Sequence, residues 1–346
     1  REAGAHRITV KGGKFLELTA QADTIIFDKT GTLTKAHPSL VKVVPFVEER
    51  AEELLALAAC LEEHFPHSMA RAVVRAAQQQ GITHEERHSK VEYIVAHGIS
   101  SMVDGKKVII GSYHFVFEDE GCLVPEDLQM RFEQLPEEYS HLYLAVEGRL
   151  AAVLCIEDPL REEAPEVVAE LKKAGFTKIV MMTGDSRRPA CAIAARAGID
   201  EYYAEVLPEN KAAFVLKEKT EGRRVVMVGD GMNDSPALSA ADVGIAISDG
   251  AQLAREIADI TIDADQLSGL VALKEISAGL AGRIRKNYIS IIGLNSCLIL
   301  LGVSGLIQPT ASALAHNMST LLISLNSMKD LLADKKLDIY KKNDYS

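Results

Sequence analysis

No Cys-x-x-Cys pair occurs in this chain, and its five cysteines, Cys60, Cys122, Cys155, Cys191 and Cys297, are far apart and odd in number. That leaves nothing to hold a zinc ion through thiolates or to cycle as a redox couple, and the cysteines read as small hydrophobes in a reducing compartment. Basic residues are also scarce. Lys and Arg number 38 against 49 Asp and Glu, giving a formal charge of −11, and no basic block is long enough to follow a phosphate backbone, so nucleic acid is excluded as a partner. There is no internal repeat, no low-complexity tract, and no charged-then-apolar leader before the first apolar run. Arg1 stands where a Met would open a complete chain, and a fragment is expected. What is present is 346 residues, 47% of them hydrophobic, enough for more than one core and for two or three domains.

Apolar, β-rich runs recur at 24–27, 151–156, 178–182, 224–228 and 243–247, with helical stretches such as 162–174 and 189–197 between them. This rhythm predicts a doubly wound parallel α/β sheet. Three of the runs end at polar groups, at Asp28, at Thr183-Gly184-Asp185 and at Asp230, where an open parallel sheet places its chemistry. The stretch between Thr34 and Glu157 is too long for a loop and is expected to form an inserted domain.

The heptapeptide Asp28-Lys29-Thr30-Gly31-Thr32-Leu33-Thr34 directly follows the first run. A carboxylate there can take the γ-phosphate of ATP as an aspartyl phosphate, and Gly31 lets backbone amides approach the transferred oxygens. In Thr183-Gly184-Asp185 a hydroxyl and a glycine amide can bind phosphoryl oxygens; alone, without Asp28, the tripeptide reads rather as a strand-to-helix turn with a capping Asp. Gly229 to Leu238 reads Gly-Asp-Gly-Met-Asn-Asp-Ser-Pro-Ala-Leu and supplies carboxylates at Asp230 and Asp234, hard oxygens of the kind Mg²⁺ prefers.

Residues 288–307 carry no charge and are long enough to cross a bilayer core as a helix. A second span, 310–325, follows after Gln308-Pro309. Arg283, Arg285 and Lys286 before the pair and Lys329, Lys335 and Lys336 after it put both ends in the cytoplasm. His316, Asn317, Ser319, Thr320 and Asn326 are polar groups in the second span, and such groups are either ion-pathway candidates or helix-to-helix hydrogen-bonding partners.

These motifs together resemble those of P-type ATPases, pumps of the haloacid-dehalogenase superfamily that conserve energy as an aspartyl phosphate. The resemblance runs the length of the chain. It implies a haloacid-dehalogenase-like fold with a phosphorylation domain at 23–34 and 157–286, an inserted α+β nucleotide-binding domain at 35–156, two transmembrane helices within 287–333, a stalk at 1–22 and a cytoplasmic tail at 334–346. It implies Asp28 as nucleophile, Thr183, Gly184 and Asp185 at phosphate, and Lys211 of Leu207-Pro208-Glu209-Asn210-Lys211 as the lysine at the phosphoryl group. Mg²⁺ is expected on Asp28, Asp230 and the Thr30 carbonyl, with Asp234 and Asn233 around it. Thr30 also fills the place where the superfamily's phosphatases carry a second, acid-base Asp, so the phosphoenzyme should hydrolyse slowly.

Asp158-Pro159-Leu160-Arg161 resembles the family's return hinge, with Arg161 either near nucleotide phosphate or a plain surface arginine. The small insert resembles that of the heavy-metal branch. There His67 followed by Ser68 stands for a motif usually written His-Pro, Glu62 matches a carboxylate near the adenine amine, and Ala96-His97-Gly98 keeps only the second glycine of a Gly-x-Gly. The resemblance therefore implies ATP as substrate and Mg²⁺ as cofactor. Its cargo is a transition-metal cation of the zinc, cadmium, copper or cobalt class, with His316, Asn317 and Ser319 as candidate ligands. It also implies a cell membrane location and an upstream half containing an actuator domain. The rival readings are a soluble phosphatase of the same superfamily and a nucleotide-binding pump half without turnover.

Overall fold

The computed structural model describes residues 2–35, 37–63, 68–82, 88–94, 98–136, 139–230, 234–247, 256–263 and 266–331. Its strands are β1 (Ile8–Val10), β2 (Thr24–Asp28), β3 (Ser39–Pro45), β4 (His88–Ile94), β5 (Gly98–Val103), β6 (Lys106–Gly111), β7 (Ser140–Val146), β8 (Arg149–Glu157), β9 (Lys178–Met182), β10 (Glu201–Tyr203), β11 (Val225–Gly229), β12 (Val243–Ile247) and β13 (Ile260–Ile262). They form a seven-stranded sheet of order β1-β13-β12-β11-β2-β9-β10 and a six-stranded sheet of order β3-β8-β7-β6-β5-β4. The chain divides into two compact units, one of residues 1–28, 163–180 and 207–346, the other of residues 29–162 and 181–206.

In the first unit, β2, β11 and β12 are buried along their whole length. Strands covered on both faces read as continuous apolar runs, which is why 24–27, 224–228 and 243–247 are legible in the sequence. β11 lies parallel to both β2 and β12, with Val228 opposite Phe27 and Gly229 opposite Ala246. That register brings Asp28 and Asp230 to the carboxyl ends of neighbouring strands. Helix Ala164–Lys173 begins with Pro165 in its first turn and buries Ala164, Val167, Val168 and Leu171, one stripe at helical spacing.

The insert is an antiparallel sheet with helices Ala51–Glu62 and Ser68–Gln79 packed on one face, where Leu55, Ala58, Val73 and Ala77 meet Leu144, Leu154 and Ile110. Phe115, Val116, Phe46 and Tyr143 build a second core. The run 151–156 belongs here, antiparallel between β3 and β7, and not to the doubly wound sheet with which its composition grouped it. Its residues are buried on both faces, so it lost the alternation that would have marked an antiparallel strand.

Gly98 has a packing reason to be glycine. A Cβ there would overlap the Phe115 ring and stand 2.6 Å from the Ile110 carbonyl oxygen, a backbone atom of the paired strand β6 that cannot step aside. Gly98→Ala should therefore destabilise the protein by about 1–3 kcal/mol, as overpacking does, measured as a drop in the denaturation midpoint. An unchanged midpoint would mean the β5–β6 pairing has slack that the geometry does not show.

Helix Gly269–Val303 buries residues 269–274, 276 and 277 against the first unit and then runs out with Ile289, Ile292, Ile299, Leu300 and Val303 exposed. Among the described helices it is the one long and apolar enough to cross a membrane. It stops at Val303, where Gly305 turns at a φ of 72°, a few residues short of the run that sequence alone outlined. Helix Pro309–Ser327 follows with no buried residue. Asn287 Nδ2 donates to Ser327 Oγ at 2.7 Å, and the Arg283 guanidinium caps the carbonyls of Ser327, Lys329 and Asp330 at the second helix's end, satisfying groups that a helix terminus leaves open.

Candidate active site

At the carboxyl end of β2, Asp28 is buried, and the Lys211 ammonium donates to its Oδ1 at 2.6 Å and to Asp234 Oδ1 at 2.8 Å. Lys211 reaches this position because helix Pro208–Thr220 starts at Pro208 and turns Lys211, Val215 and Glu218 to its buried face, at i, i+4 and i+7. Asp234 precedes helix Ser235–Ala240 but makes no side-chain cap there. Its carboxylate serves Lys211 instead.

Burial pushes the Asp28 carboxyl up to about 7, with the charges of Asp234 and Asp230 adding to the effect and Lys211 opposing it. Asp234 is raised chiefly by burial as well, against the pull of Lys211. Burial alone would lower Lys211, but Asp28 and Asp234 together outweigh it and hold the ammonium above the usual lysine range. The site is thus a cation locked between two carboxylates with more negative charge nearby. It is built to accept a positive ion or a group whose charge needs compensation.

The second unit holds its own polar cluster. Lys29, the next residue after Asp28, is buried and pairs with Asp185 and, at 3.8 Å, with Asp158. Thr34 Oγ1 donates to Asp158 Oδ2 at 2.7 Å, and Ser140 Oγ to Asp185 Oδ2 at 3.3 Å. Burial raises Asp158, with Lys29 opposing. Thr183 Oγ1 accepts from the Asp185 amide at 3.0 Å, closing the turn Thr183-Gly184-Asp185. Arg161 is buried, so the surface-arginine alternative is set aside. Its Nε donates to the carbonyls of Thr32 and Thr34 at 2.9 and 3.2 Å, and Thr34 bridges to Leu160 where the two connecting segments run side by side. Thr30 and Gly31 break helical geometry in this loop, Gly31 at a φ of 79°, a conformation that favours glycine.

Glu62, at the end of helix Ala51–Glu62, is buried, and desolvation lifts its carboxyl to about 8. Between the ordinary glutamate range and pH 8 the folded chain holds a proton that the unfolded chain has lost, so this group makes stability fall as pH rises. Glu62→Gln should remove this group's share of the slope and leave the protein more stable at pH 9, by roughly 5 kcal/mol at most. Parallel melting curves of parent and variant at pH 5 and pH 9 that never diverge would refute it.

His67 and Asn233 lie outside the described residues. At the helical hairpin, His316 Nδ1 stands 2.8 Å from Asn295 Oδ1, while Ser319 Oγ and Thr320 Oγ1 both donate to the His316 carbonyl, so those hydroxyl protons serve their own helix. Asn317 is exposed. Two residues went unassigned in the sequence. Lys29 lay within the heptapeptide, and Asn295 interrupts the apolar run 288–303, the signal that marked His316 and Asn317.

The haloacid dehalogenase-like hydrolase family matches residues 22–242, and a second family of that description matches 212–273. A zinc-exporting P-type ATPase of Mycobacterium marinum is 37% identical over 330 residues, covering 94% of this chain and 45% of the relative. A manganese-exporting P-type ATPase of Mycobacterium leprae is 36% identical over 329 residues, with 94% and 45% covered. A crystal structure of a zinc-transporting PIB-type ATPase in its E2.Pi state matches with a TM-score of 0.68 at 31% identity, covering 94% of this chain and 52% of that one. The chain spans about half the length of the relatives it matches.

Proposed function

The chain belongs to the haloacid dehalogenase-like hydrolase family, and from its likeness to metal-exporting P-type ATPases we propose that it is the phosphorylation and nucleotide-binding part of a heavy-metal transporting P-type ATPase. In this reading phosphate passes from ATP to Asp28 and drives a transition-metal cation across a membrane. The observation that carries it is the Lys211 ammonium held between the Asp28 and Asp234 carboxylates at the strand ends. A buried aspartate needs such a partner if an anionic phosphate is to approach it, because the lysine offsets charge that would otherwise repel the γ-phosphate.

The same cluster fits Mg²⁺. Asp28 and Asp230 offer hard oxygens at neighbouring strand ends, and a divalent cation there offsets the burial, and the added charge of Asp234 and Asp230, that raise Asp28. Among the described residues no three His, Cys, Asp or Glu side chains are arranged to hold a metal unaided, which suits an ion that completes its shell with phosphate oxygens, water and a carbonyl, that of Thr30 by family resemblance. When bound, the ion supplies charge neutralisation and orientation of the phosphate. Asp28 provides the attacking oxygen, Lys211 screens it, Asp234 keeps Lys211 in place, and by resemblance Thr183 and Gly184 donate to the transferred group while Asp185 anchors their turn. Thr30 offers no carboxyl to activate water, so the aspartyl phosphate persists long enough to be used.

The nucleotide-binding part is proposed for 35–156, with Glu62, His67 and Gly98 around the base, Arg161 near its phosphates and Asn233 orienting the phosphate beside Asp28. Residues 23–34 and 157–286 form the phosphorylation part. The proposed location is the cell membrane, with both parts cytoplasmic and the two helices within 287–333 inserted, supported by the exposed apolar side chains of Gly269–Val303. The relatives' names add manganese to the cargo range of zinc, cadmium, copper and cobalt, with His316, Asn317 and Ser319 as the candidate ligands.

The test is acid-quenched incorporation of γ-phosphate across a panel of these metals in the complete protein. One metal that selectively raises a hydroxylamine-sensitive label supports the reading and names the cargo; no acid-stable label with any metal ends it.

A further inference from the structure

Asn295 is the one feature of the hairpin whose chemistry follows from the geometry and from no motif. Arg283, Asn287 and Asn295 occupy one face of helix Gly269–Val303, at i, i+4 and i+12, and each meets a polar group at or beyond helix Pro309–Ser327. The first two contacts tie down the far end of the second helix. The third is different in kind, because its partner is an imidazole. His316 Nδ1 lies 2.8 Å from Asn295 Oδ1, surrounded along the helices by exposed Ile, Leu and Val side chains.

A neutral imidazole has one N–H and one lone pair, and a hydrogen bond at one nitrogen decides what the other can do. With Nδ1–H donating to the Asn295 carbonyl oxygen, the proton is fixed at Nδ1 and the Nε2 lone pair is left for a cation. With the amide turned over, its N–H₂ would consume the Nδ1 lone pair and place the proton on Nε2, leaving no ligand nitrogen. In the bilayer core proposed for these helices the pairing is not exchanged for water, so the choice made by Asn295 is lasting.

We propose that Asn295 is a positioning residue that holds His316 in the Nδ1–H tautomer, presenting Nε2 to the transported transition-metal cation. The inference rests on the reading of His316 as a ligand of that cation. It assigns Asn295 a role through His316 and not on the metal itself.

The experiment titrates, in the complete protein, the metal that most raises Asp28-dependent labelling against acid-stable incorporation from ATP. Asn295→Leu should raise the half-saturating metal concentration about tenfold or more, the usual cost of removing such a partner, while labelling at saturating metal reaches the parent's ceiling. Asn295→Asp, which can only accept, should stay within about threefold of the parent. A purely structural role for Asn295 would instead lower the ceiling in both variants. An unchanged half-saturation in Asn295→Leu, beside a large shift in His316→Ala, overturns the positioning role and leaves His316 as ligand. An unchanged response in His316→Ala overturns the ligand reading itself and the inference with it. Should Asn295→Asp fail to accumulate, Co²⁺ absorption titrated into parent and Asn295→Leu decides in its place: equal affinities overturn the proposal, and a tenfold or greater loss supports it.

Discussion

Asp28→Asn should abolish acid-stable phosphate incorporation from ATP outright, with label below about one part in a thousand of the parent, while nucleotide binding stays nearly intact. An amide oxygen is a poor nucleophile, and among the described residues no other carboxylate is equivalently placed. Asp234 faces the same lysine but precedes a helix, and Asp230 lies at the end of the neighbouring strand. The same substitution should affect stability in the opposite sense from most active-site changes. Asp28 titrates near 7 in the folded chain because burial and the Asp234 and Asp230 charges disfavour its ionised form. Over the interval from its ordinary range to pH 7, folding retains a proton that the unfolded chain releases, so stability falls as pH rises and the penalty is full above pH 7. The neutral amide escapes it. The Asp28→Asn variant should melt above the parent at pH 8, and the gap should close by pH 4. Persistent labelling sinks the nucleophile assignment; a variant that melts below the parent at pH 8 sinks the electrostatic account.

The central strands of the first unit were legible in the sequence because strands buried on both faces leave unbroken apolar runs, and because Asp28 and Asp230 stand immediately after two of them. The same signal misled at 151–156, where an antiparallel strand covered on both sides looks identical. What sequence could not carry was pairing across distance. Lys211 sits 183 positions from Asp28 and 23 from Asp234, and nothing local says that one ammonium serves both. Lys29 was visible inside a motif, yet its partners Asp158 and Asp185 come from segments far along the chain. Gly98 shows a third limit. A glycine matching a nucleotide motif is also required by the Phe115 ring and the Ile110 carbonyl, a constraint set by tertiary packing and invisible to local pattern.

Lys211→Met should damage activity and stability together, where Asp28→Asn removes activity alone. The side chain is close in volume, so packing is nearly conserved and the lost element is the charge. Removing it leaves the Asp28 and Asp234 carboxylates buried, facing one another without a cation, with Asp230 adding to the repulsion. Breaking a buried pair by deleting one partner costs about 3–5 kcal/mol. Loss of a preorganised charge at the reacting group costs about 10²–10³ in rate. The deficit should depend on pH in a defined direction: largest at alkaline pH, where both carboxylates are ionised, and shrinking as pH falls and one takes up a proton, which in the variant begins above the parent's value because Lys211 no longer lowers Asp28 and Asp234. Adding Asp234→Asn to Lys211→Met removes the repulsion without restoring the cation. The double variant should therefore recover most of the stability at pH 8 and none of the phosphorylation, a non-additive pattern expected of groups that share one ion-pair network. Melting curves at pH 6 and pH 8, beside acid-quenched labelling of the three proteins, separate the two roles of Lys211. Recovery of labelling in the double variant would show that Lys211 serves only to neutralise Asp234 and never acts on the phosphoryl group.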